Sequence, residues 1–324
     1  MKKIVVTGAT GFIGANLIRR LIKDGHEVHV FVRPVFSRWR ISGILPRLKI
    51  HVLDLNSRKS LEKALKKIKP QRLFHLAVYG AYSSQKDLTR IIETNITGSI
   101  NFMETAAACG FESFINIGSS SEYGFKDHPA KENEPLAPNS HYALSKAYVT
   151  MFARDLALRN NLNIITLRPY SVYGPYEEPG RFIPTLIIKG LNGEWPPLVR
   201  PDIAHDYIHV DDFVEACVLA ANYRGRERGL IFNVCRGRQI TMNEVIALAG
   251  ESFAVKTKPK WRTMPDRSWD TAIWLGNNSL IKNKLHWRSK ISFKNGFGKT
   301  ADWFKSNPDI RRFYEKEMRL PCSL

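Results

Sequence analysis

Near its start the chain reads Lys3-Ile4-Val5-Val6-Thr7-Gly8-Ala9-Thr10-Gly11-Phe12-Ile13-Gly14. The apolar run predicts a buried strand, and the spaced glycines predict a tight turn that leads straight into a helix. Gly8 permits the turn, Gly11 lets the backbone approach a pyrophosphate, and Gly14 allows close packing of the helix. This pattern predicts a dinucleotide-binding turn, and a purely structural turn is the alternative interpretation.

Short apolar runs alternate with amphipathic stretches through the first half of the chain. The predicted buried parallel strands are Lys3–Thr7, Glu27–Val32, Lys49–Leu53, Arg72–Ala77, Ser113–Gly118 and Asn163–Leu167. The predicted helices are Phe12–Asp24, Ser57–Lys69, Asp87–Cys109 and His141–Asn160, with Ser57 as an N-cap and Pro70 as a stop. Strands that alternate with helices predict right-handed crossovers, so the fold class is α/β with a doubly wound parallel Rossmann sheet.

Prolines and glycines crowd into the stretch after Arg168, which predicts a loop-rich region that forms a site. Val210–Ala221 then reads as a helix and Leu230–Val234 as a strand. We therefore predict a dinucleotide-binding Rossmann domain over residues 1–174 and a smaller, interwoven C-terminal substrate lobe over residues 175–324, with residues 205–234 returning to the first domain. The basic, polar tail from Lys282 onward is expected to be solvated surface.

The composition is that of a globular protein, with 44% hydrophobic and 24% charged residues, and argues against a disordered or fibrous chain. The chain carries 49 Lys and Arg against 30 Asp and Glu, a formal net charge of +19. This excess predicts an anionic partner, for which phosphorylated metabolites, nucleic acid and membrane surfaces all qualify.

The four cysteines are widely separated, and no His stands at a metal-ligand interval from them. We therefore expect neither a disulfide framework nor a metal site. No stretch approaches the ~20 apolar residues that span a bilayer. The start of the chain lacks the apolar core of a secretory signal, so a cytoplasmic protein without membrane contact is expected.

The residue at the end of the second strand bears on the choice of cofactor. An acidic residue there binds the adenosine ribose hydroxyls of NAD, but this chain has Arg33. Arg33 could bind a 2′-phosphate together with Arg38, and with Ser37 and Arg40 as further candidates. The sequence thus favours NADP over NAD, with a solvated basic loop as the alternative. Asp54, at the end of the third strand, could approach the adenine or cap the next helix.

Two polar groups predict proton-transfer chemistry. Tyr142-Ala143-Leu144-Ser145-Lys146 places a phenol and an ammonium group on one face of a predicted helix. A nearby cation lowers the pKa of a tyrosine, which then exchanges a proton with a substrate hydroxyl or carbonyl group. Gly118-Ser119-Ser120-Ser121-Glu122-Tyr123-Gly124 follows the fifth strand, at the edge where open α/β sheets bind ligands. A serine there could hydrogen-bond the reacting oxygen.

With these motifs the chain resembles the extended short-chain dehydrogenase/reductase family, which includes nucleotide-sugar epimerases, dehydratases and reductases. The resemblance runs from Lys3 to about Asp212. It is carried by the Gly8 turn, His75-Leu76-Ala77, Asn95 with Gly98, the Ser-Tyr-Lys set, Leu167-Arg168-Pro169, Val172-Tyr173-Gly174, Asp206-Tyr207 and Val210-Asp211-Asp212.

The resemblance implies roles for individual residues. Tyr142 would be the acid/base, Lys146 would lower its pKa and bind the nicotinamide ribose, and Ser119 would be the catalytic serine, with Ser120 as the fallback. The implied cofactor contacts are Gly8, Thr10, Gly11, Phe12, Ile13, Gly14, Arg33, Arg38, Asp54, Leu55, Leu76, Ala77, Asn95, Tyr142, Lys146, Tyr170 and Val172. The implied substrate contacts are Tyr79, Ser121, Tyr170, Arg181, Phe182, Ile183, Arg200 and Arg236. A homodimer through a four-helix interface of Asp87–Cys109 and His141–Asn160 is also implied.

The resemblance also bears on the reaction. Sugar 4,6-dehydratases of this family carry an acidic residue just after the catalytic threonine, where this chain has Ser120 and Ser121, although a shift in register could bring Glu122 to that place. The cysteine acid of GDP-fucose synthases is likewise replaced by a serine. Two reactions remain that need only Ser-Tyr-Lys and a nicotinamide: reduction of a 4-keto sugar and C4 epimerisation.

Arg33 favours the reductase over the epimerase, because Arg33 could bind the 2′-phosphate of NADPH and a reductase uses NADPH. The hypothesis is NADPH-dependent reduction of the 4-keto group of a nucleotide-linked (deoxy)sugar, close to the CDP- and GDP-deoxysugar 4-ketoreductases. The alternative is an NAD-dependent nucleotide-sugar C4 epimerase.

A further alternative is a non-catalytic NADP-sensing or RNA-associated protein of the same fold. Such proteins tend to lose the Tyr-Lys pair, which this chain keeps, so no nucleic-acid partner is expected. The basic and aromatic residues that would serve RNA binding are Trp261, Arg262, Arg267, Trp269 and Trp274. His205 stands where the family often has an arginine, and is interpreted as a packed neighbour.

Overall fold

The computed structural model describes residues 1–82, 84–265 and 270–319. The strands are β1 (Lys3–Thr7), β2 (Glu27–Val32), β3 (Lys49–Val52), β4 (Arg72–His75), β5 (Ser113–Ile117), β6 (Ile164–Pro169), β7 (Ser171–Tyr173), β8 (Ala204–His205), β9 (Tyr207–His209), β10 (Ile231–Val234) and β11 (Ile240–Thr241).

The α-helices are α1 (Phe12–Lys23), α2 (Arg58–Ile68), α3 (Leu88–Ile91), α4 (Gly98–Cys109), α5 (His141–Arg159), α6 (Phe182–Leu191), α7 (Val210–Ala221), α8 (Met242–Phe253), α9 (Ser279–Leu285), α10 (Phe293–Ser306) and α11 (Pro308–Arg319). A π-helical segment, Ile92–Thr97, joins α3 to α4, and short 3-10 helices cover Ser42–Arg47 and Ser120–Tyr123. No helix in the described parts of the chain is both long and apolar enough to cross a membrane.

Seven strands form one parallel sheet in the order β3-β2-β1-β4-β5-β6-β10. The strand order reverses between β1 and β4, and at such a reversal the loops diverge and leave a crevice for a ligand. This topology confirms the predicted α/β fold with a doubly wound sheet.

Both faces of the sheet are covered, as a parallel sheet requires. The side chains of α1, α7 and α9 pack on one face, and those of α2, α4 and α5 pack on the other. Alternation along β1 divides its residues between the two cores, since Ile4 and Val6 belong to the first and Val5 to the second. The central strands are buried on both sides and therefore read as unbroken apolar runs.

The predicted start and stop of the second helix are confirmed. The Ser60 amide donates to the Ser57 hydroxyl at 3.4 Å, and Lys69 closes the helix in the left-handed conformation with φ of 52°. Such a cap gives a hydrogen-bond acceptor to a backbone amide in the first turn that has no partner within the helix.

The third strand differs from the prediction of a buried strand. Lys49, Ile50 and Val52 are all exposed. Among the described residues β3 pairs only with β2, so it forms an edge of the sheet. Its apolar residues were read as a sign of burial, but position in the sheet decided their exposure.

The prediction of a solvated tail is wrong. Trp287 is buried in the core beside α9, while Phe297 and Phe304 of α10 and Tyr314 of α11 are fully buried in a third core. Phe293, Phe297, Ala301 and Phe304 recur at helical intervals, so α10 buries one face while its lysines stay on the other. The high density of charge hid this amphipathic pattern.

The third core lies among α6, α8, α10 and α11. In the chain between them, Val210–Ala221 packs with the sheet core and Ile231–Val234 forms the seventh strand beside β6. Ile281 and Leu285 of α9 also belong to the sheet core. The division of the chain at residue 174 into two domains stays a prediction.

Candidate active site

The glycine turn brings three pieces of backbone into close contact. Gly8 has φ of +68°, and a Cβ atom there would lie 2.5 Å from the carbonyl carbon of Leu76. A Cβ on Gly14 would lie 2.2 Å from the carbonyl oxygen of Gly8. The Gly11 amide donates to the Gly8 carbonyl at 3.0 Å and closes the turn. Only glycine fits at the first and third of these positions.

The same turn leaves the start of α1 open to an anion. Gly11 caps the helix without a side-chain hydrogen bond, and the first turn contains no acidic residue. Free amides and the helix dipole favour a phosphate group at this point. The predicted contact residues Thr10, Gly11, Phe12, Ile13, Leu76 and Ala77 are all partly exposed. These residues fit the pyrophosphate of a dinucleotide.

A series of buried hydrogen bonds holds the end of β1 against the end of β4, beside the turn. The Thr7 hydroxyl lies 2.7 Å from Nδ1 of His75 and accepts the amides of Leu76 and Ala77 at 3.2 Å. The Ser99 hydroxyl lies 2.7 Å from the other ring nitrogen. Burial lowers the pKa of His75 to about 3, so this histidine is neutral at physiological pH. Sequence reasoning did not include Thr7 or His75 among the site residues, although a polar residue inside an apolar strand was a signal.

The residues expected at the adenosine end divide into two groups. Arg33 and Arg38 are exposed, and Arg38 stacks on the ring of Phe36 at 5.2 Å. Arg40, by contrast, is buried and bonded within the protein, so its candidacy as a 2′-phosphate ligand is wrong. Two guanidinium groups therefore remain available near the end of β2.

Asp54 is exposed and accepts the Asn56 amide at 2.9 Å. It does not cap α2, because Ser57 does. Leu55 lies against the start of α4. Its Cβ is 3.1 Å from the point where a Cβ atom on Gly98 would stand.

Tyr142 and Lys146 lie on the first two turns of α5, and the Tyr142 hydroxyl interacts with the Ser119 side chain. The Ser119 and Ser121 hydroxyls lie 2.6 Å apart. Ser120 is buried and lines a different small pocket together with Tyr170 and Trp274. Of the two serines that the sequence left open, the structure therefore brings Ser119 to the tyrosine.

The charge states of this set follow from burial. Burial raises the pKa of Tyr142, while Ser119 and Arg181 act in the opposite direction. The prediction that Lys146 lowers this pKa is therefore wrong, because burial dominates and Lys146 is not among the groups that lower it. Burial also lowers the pKa of Lys146 to about 8, against the attraction of Glu122. At neutral pH the tyrosine is therefore a phenol, and the lysine is mostly an ammonium ion.

Asn95 was predicted to lie near the cofactor, and the structure shows what it holds. Its Oδ1 accepts the Tyr79 amide at 2.8 Å, and its Nδ2 donates to the Tyr79 carbonyl at 2.8 Å and to the Ser145 hydroxyl at 2.9 Å. Asn95 thereby ties the loop after β4 to the helix that carries the tyrosine and lysine. Asn95 is the buried residue of the π-helical segment.

Glu122 is fully buried and has no free oxygen for catalysis. One carboxylate oxygen accepts the Ser119 amide at 2.7 Å and the Thr150 hydroxyl at 3.0 Å, and the other accepts Nε of Arg168 at 2.8 Å. The hypothesis that a register shift makes Glu122 an elimination acid is therefore wrong. Its role is to hold Ser119 in place. Sequence reasoning did not anticipate this pairing because Glu122 and Arg168 are 46 residues apart.

Arg181 is the exposed cation on the substrate side. It precedes α6, its guanidinium lies 5.7 Å from the ring centre of Tyr82, and its Nε lies 4.0 Å from the Glu177 carboxylate. Burial raises the pKa of Glu177 to about 8, against the attraction of Arg181. The side chain of Phe182 is partly buried, and Ile183 is buried in the third core. Their contact with a substrate stays a prediction.

The other predicted substrate residues lie farther into the protein. Tyr170, which was predicted to contact both cofactor and substrate, is buried, and Val172, which was predicted to contact the cofactor alone, is partly exposed. Arg200 pairs with Asp202 at 3.3 Å, and Arg236 reaches the Ile291 carbonyl at 3.5 Å. Neither arginine extends free into the crevice.

Asp206 and His205 have structural partners. The Asp206 carboxylate accepts the amides of Arg236 and Gly237 at 2.8 and 2.9 Å, and burial raises its pKa to about 7. Nδ1 of His205 lies 3.3 Å from the Ser171 hydroxyl, and burial lowers its pKa to about 4. His205 is a packed neighbour, as predicted.

Among the described residues, no group of His, Cys, Asp and Glu could hold a metal ion, and Cys109, Cys217 and Cys235 are free thiols. Trp261 packs against the third core. Arg267 and Trp269, which the RNA-binding interpretation also used, lie outside the described residues.

Comparison with known proteins agrees with this site. The NAD dependent epimerase/dehydratase family matches residues 4–235, from β1 through β10. The chain belongs to this family. It is 25% identical over 318 residues to the dTDP-glucose 4,6-dehydratase of Streptomyces griseus, covering 93% of each chain.

Two solved epimerases share the fold of this family member over most of its length. The UDP-glucose 4-epimerase of Thermotoga maritima, solved with UDP-glucose, superposes with a TM-score of 0.84 at 25% identity, covering 94% of this chain and 99% of that one. The UDP-glucose 4-epimerase of Thermus thermophilus, in complex with NAD, superposes with a TM-score of 0.82 at 25% identity and the same coverage. Because the chain belongs to this NAD dependent family, we conclude that its reaction uses NAD(P).

The glycine turn makes a direct prediction. In Gly14→Ala the new methyl group would lie 2.2 Å from the Gly8 carbonyl oxygen, so the turn must shift. We expect NAD(H) and NADP(H) affinity to fall by roughly tenfold or more, which equals about 1.4 kcal/mol. Calorimetric titration measures this loss. Gly43→Ala is the matched control, because a Cβ there meets open space. Equal affinity in the two variants would contradict the assignment of the turn.

Proposed function

We propose that the protein inverts the configuration at C4 of a nucleotide-linked hexose by transient oxidation of the C4 hydroxyl group. The proposal rests on the hydrogen bond between the side chains of Tyr142 and Ser119, with Lys146 one turn after Tyr142 on α5 and Glu122 fully engaged by its buried partners. The proposal is supported by the similarity to UDP-glucose 4-epimerases over 94% of the chain.

A nicotinamide dinucleotide, when bound, supplies the hydride acceptor and donor for such a reaction. Tyr142 holds the proton that leaves and returns at the C4 oxygen. Taking that proton from the C4 hydroxyl group requires the phenolate of Tyr142, and returning it to the C4 ketone requires the phenol. Burial raises the pKa of Tyr142, so the phenol is the resting form at neutral pH and the phenolate is the minor form that begins the reaction. Ser119 would donate a hydrogen bond to the same oxygen, and Lys146, one turn after Tyr142 on α5, would hold the nicotinamide ribose. The turn that Gly8, Gly11 and Gly14 form would hold the pyrophosphate at the start of α1.

Arg181 is proposed to bind the diphosphate of the sugar nucleotide. It is exposed, and it stands at the uncapped start of α6, where the helix dipole also favours an anion. A guanidinium group binds phosphate oxygens in a bidentate manner. Dehydration is not proposed, although a dehydratase is among the relatives, because Ser120 and Ser121 stand where an elimination acid would be required.

Reduction of a 4-keto sugar, the first hypothesis from the sequence, is the second candidate. Arg33 and Arg38 favour it, because both are exposed at the end of β2 and fit the 2′-phosphate of NADPH. The relatives, which are epimerases and dehydratases, support the epimerase more than the reductase. Both reactions use the same three catalytic residues, and they differ in whether the cofactor is retained or exchanged.

A homodimer is proposed from an exposed apolar face. The face consists of Leu88, Ile92, Leu144, Tyr148, Met151 and Leu158, which lie along α3, the π-helical segment and α5 and are all 44–56% exposed. Leu144, Tyr148, Met151 and Leu158 recur at helical intervals on one face of α5, and exposed apolar side chains grouped in this way mark an interaction site. A second copy with the same face would form a two-fold helical interface, as closed dimers do.

The reaction is tested with a panel of UDP-, dTDP-, CDP- and GDP-hexoses, incubated with NAD and followed by NMR for C4 epimers. We expect Tyr142→Phe to lower kcat by about 10²- to 10⁴-fold, since it removes the proton carrier. Ser119→Ala should lose activity, and Ser120→Ala is the matched control and should keep it. If the protein forms no epimer yet consumes NADPH with a 4-keto-6-deoxy sugar nucleotide, the reductase is the reaction.

The cofactor is tested by charge reversal at Arg33. We expect Arg33→Asp to weaken NADP(H) binding by roughly tenfold and to leave NAD(H) binding nearly unchanged, because only NADP(H) carries the 2′-phosphate. Lys23→Asp makes the same change of charge at the far end of α1 and should alter neither affinity. A uniform loss for both cofactors would show that Arg33 does not read the 2′-phosphate.

The dimer is tested by placing a charge in the apolar face. Met151→Asp should convert the protein to a monomer in analytical ultracentrifugation, because an unpaired carboxylate in an apolar interface is costly to desolvate. Phe125→Asp adds the same group at another exposed apolar residue and should leave the dimer intact. A monomeric wild type at micromolar concentration would overturn the assignment.

A further inference from the structure

A buried arginine connects the two proposed ligand sites. We propose that Arg40 is a positioning residue that makes the binding of dinucleotide at the glycine turn and the binding of nucleotide diphosphate at Arg181 cooperative. The inference rests on the proposed function for the identity of the two ligands. It concerns a residue that contacts neither of them.

Arg40 reaches three groups on two separate segments. Its Nε donates to the Tyr176 carbonyl at 2.8 Å, its Nη1 donates to the Thr10 carbonyl at 3.4 Å, and its Nη2 pairs with the Glu178 carboxylate. The Arg40 side chain is only 7% exposed. Thr10 lies inside the glycine turn, whereas Tyr176 and Glu178 lie in the loop that leads to α6. A single side chain thus spans the cofactor turn and the substrate loop.

Glu178 carries the connection onward to the substrate cation. The Arg181 amide donates to the Glu178 carbonyl at 3.1 Å, and the Glu177 amide donates to the Gly174 carbonyl at 3.2 Å. The position of Glu178 therefore sets the backbone at Arg181. The resulting path is continuous from the Thr10 carbonyl through Arg40 and Glu178 to Arg181.

Helix α1 fastens the same loop from a second side. Nδ2 of Asn16 donates to the Pro175 carbonyl at 2.9 Å, and the Arg19 guanidinium lies 4.0 Å from the ring centre of Tyr176. Tyr176 has φ of +68°, which is strained for a residue with a bulky side chain. A strained backbone persists only where its surroundings hold it. The conformation of the substrate loop thus depends on contacts with the cofactor-binding helix.

Cooperativity follows from this shared segment. A ligand that fixes the glycine turn also fixes Arg40, and so orders the loop that the second ligand must otherwise order on its own. The coupling is reciprocal, so each ligand strengthens the binding of the other by the same factor. We expect a factor of about tenfold, within the usual range for coupled sites.

The experiment measures this factor in the full-length protein by calorimetry. UDP, dTDP, CDP and GDP are each titrated without cofactor and with saturating NADH or NADPH, and the tightest nucleotide is carried forward. Wild type should bind this nucleotide about tenfold more tightly with cofactor present. Hydrogen exchange should show greater protection of residues 175–181 when cofactor alone is added.

Three variants distinguish a loss of coupling between the two ligands from a loss of folding stability. Arg40→Gln should bring the factor to about one and abolish the cofactor-dependent protection of residues 175–181. Glu178→Gln removes only the partly exposed ion pair, so it keeps the fold even if Arg40→Gln does not, and it should reduce the factor. Arg20→Gln is the matched control on α1, since Arg20 pairs with Asp24 and Glu215 away from the loop, and should keep the wild-type factor.

Two results would overturn the inference. Independent binding of the two ligands to wild type would refute the coupling while leaving the proposed function intact. An unchanged factor in Glu178→Gln, and in Arg40→Gln where that variant folds, would refute the role of Arg40. Failure of wild type to bind any cofactor or nucleotide would remove the proposed function as well.

Discussion

The close approach of three backbones at Gly8 is the constraint on which the structure depends. The end of β1, the start of α1 and the residues after β4 meet there without room for a side chain. This contact sets the distance between helix and sheet and places the crevice where the strand order reverses. Hydrogen bonds from Thr7 through His75 to Ser99 then fix the ends of β1 and β4. They place no charge beneath the site, because His75 is neutral.

The catalytic set depends in turn on buried polar pairs that themselves take no part in chemistry. Glu122 and Arg168 hold the backbone of Ser119, and Asn95 holds α5 against the loop after β4. Removing one partner of the Glu122–Arg168 ion pair leaves an unpaired buried charge and costs about 3–5 kcal/mol, so this pair favours one arrangement of the backbone at Ser119. A rigid support of this kind is what a catalytic hydrogen bond requires.

Much of the fold was predictable because its signals are local. The bounds of β1, β2 and α7 match the predicted segments, since unbroken apolar runs and helical periodicity are read within one element. The errors have two causes, tertiary position and a local pattern hidden by charge. β3 was predicted to be buried because its composition does not reveal that it lies at the sheet edge, and α10 was missed because its lysines masked the spacing of its phenylalanines. Arg40 was read with its exposed neighbours, although its partner Glu178 lies 138 residues away.

The sequence by itself determined the turn, the order of strands and helices, and the presence of a tyrosine and a lysine on one helical face, because each depends on residues within a few positions of one another. Only the tertiary structure decided which serine meets Tyr142, why Glu122 is not an acid for the reaction, and that the cofactor turn and the substrate loop share Arg40. These outcomes depend on pairs that are far apart in the chain, and such pairs come together only when the sheet and the loops around it are complete.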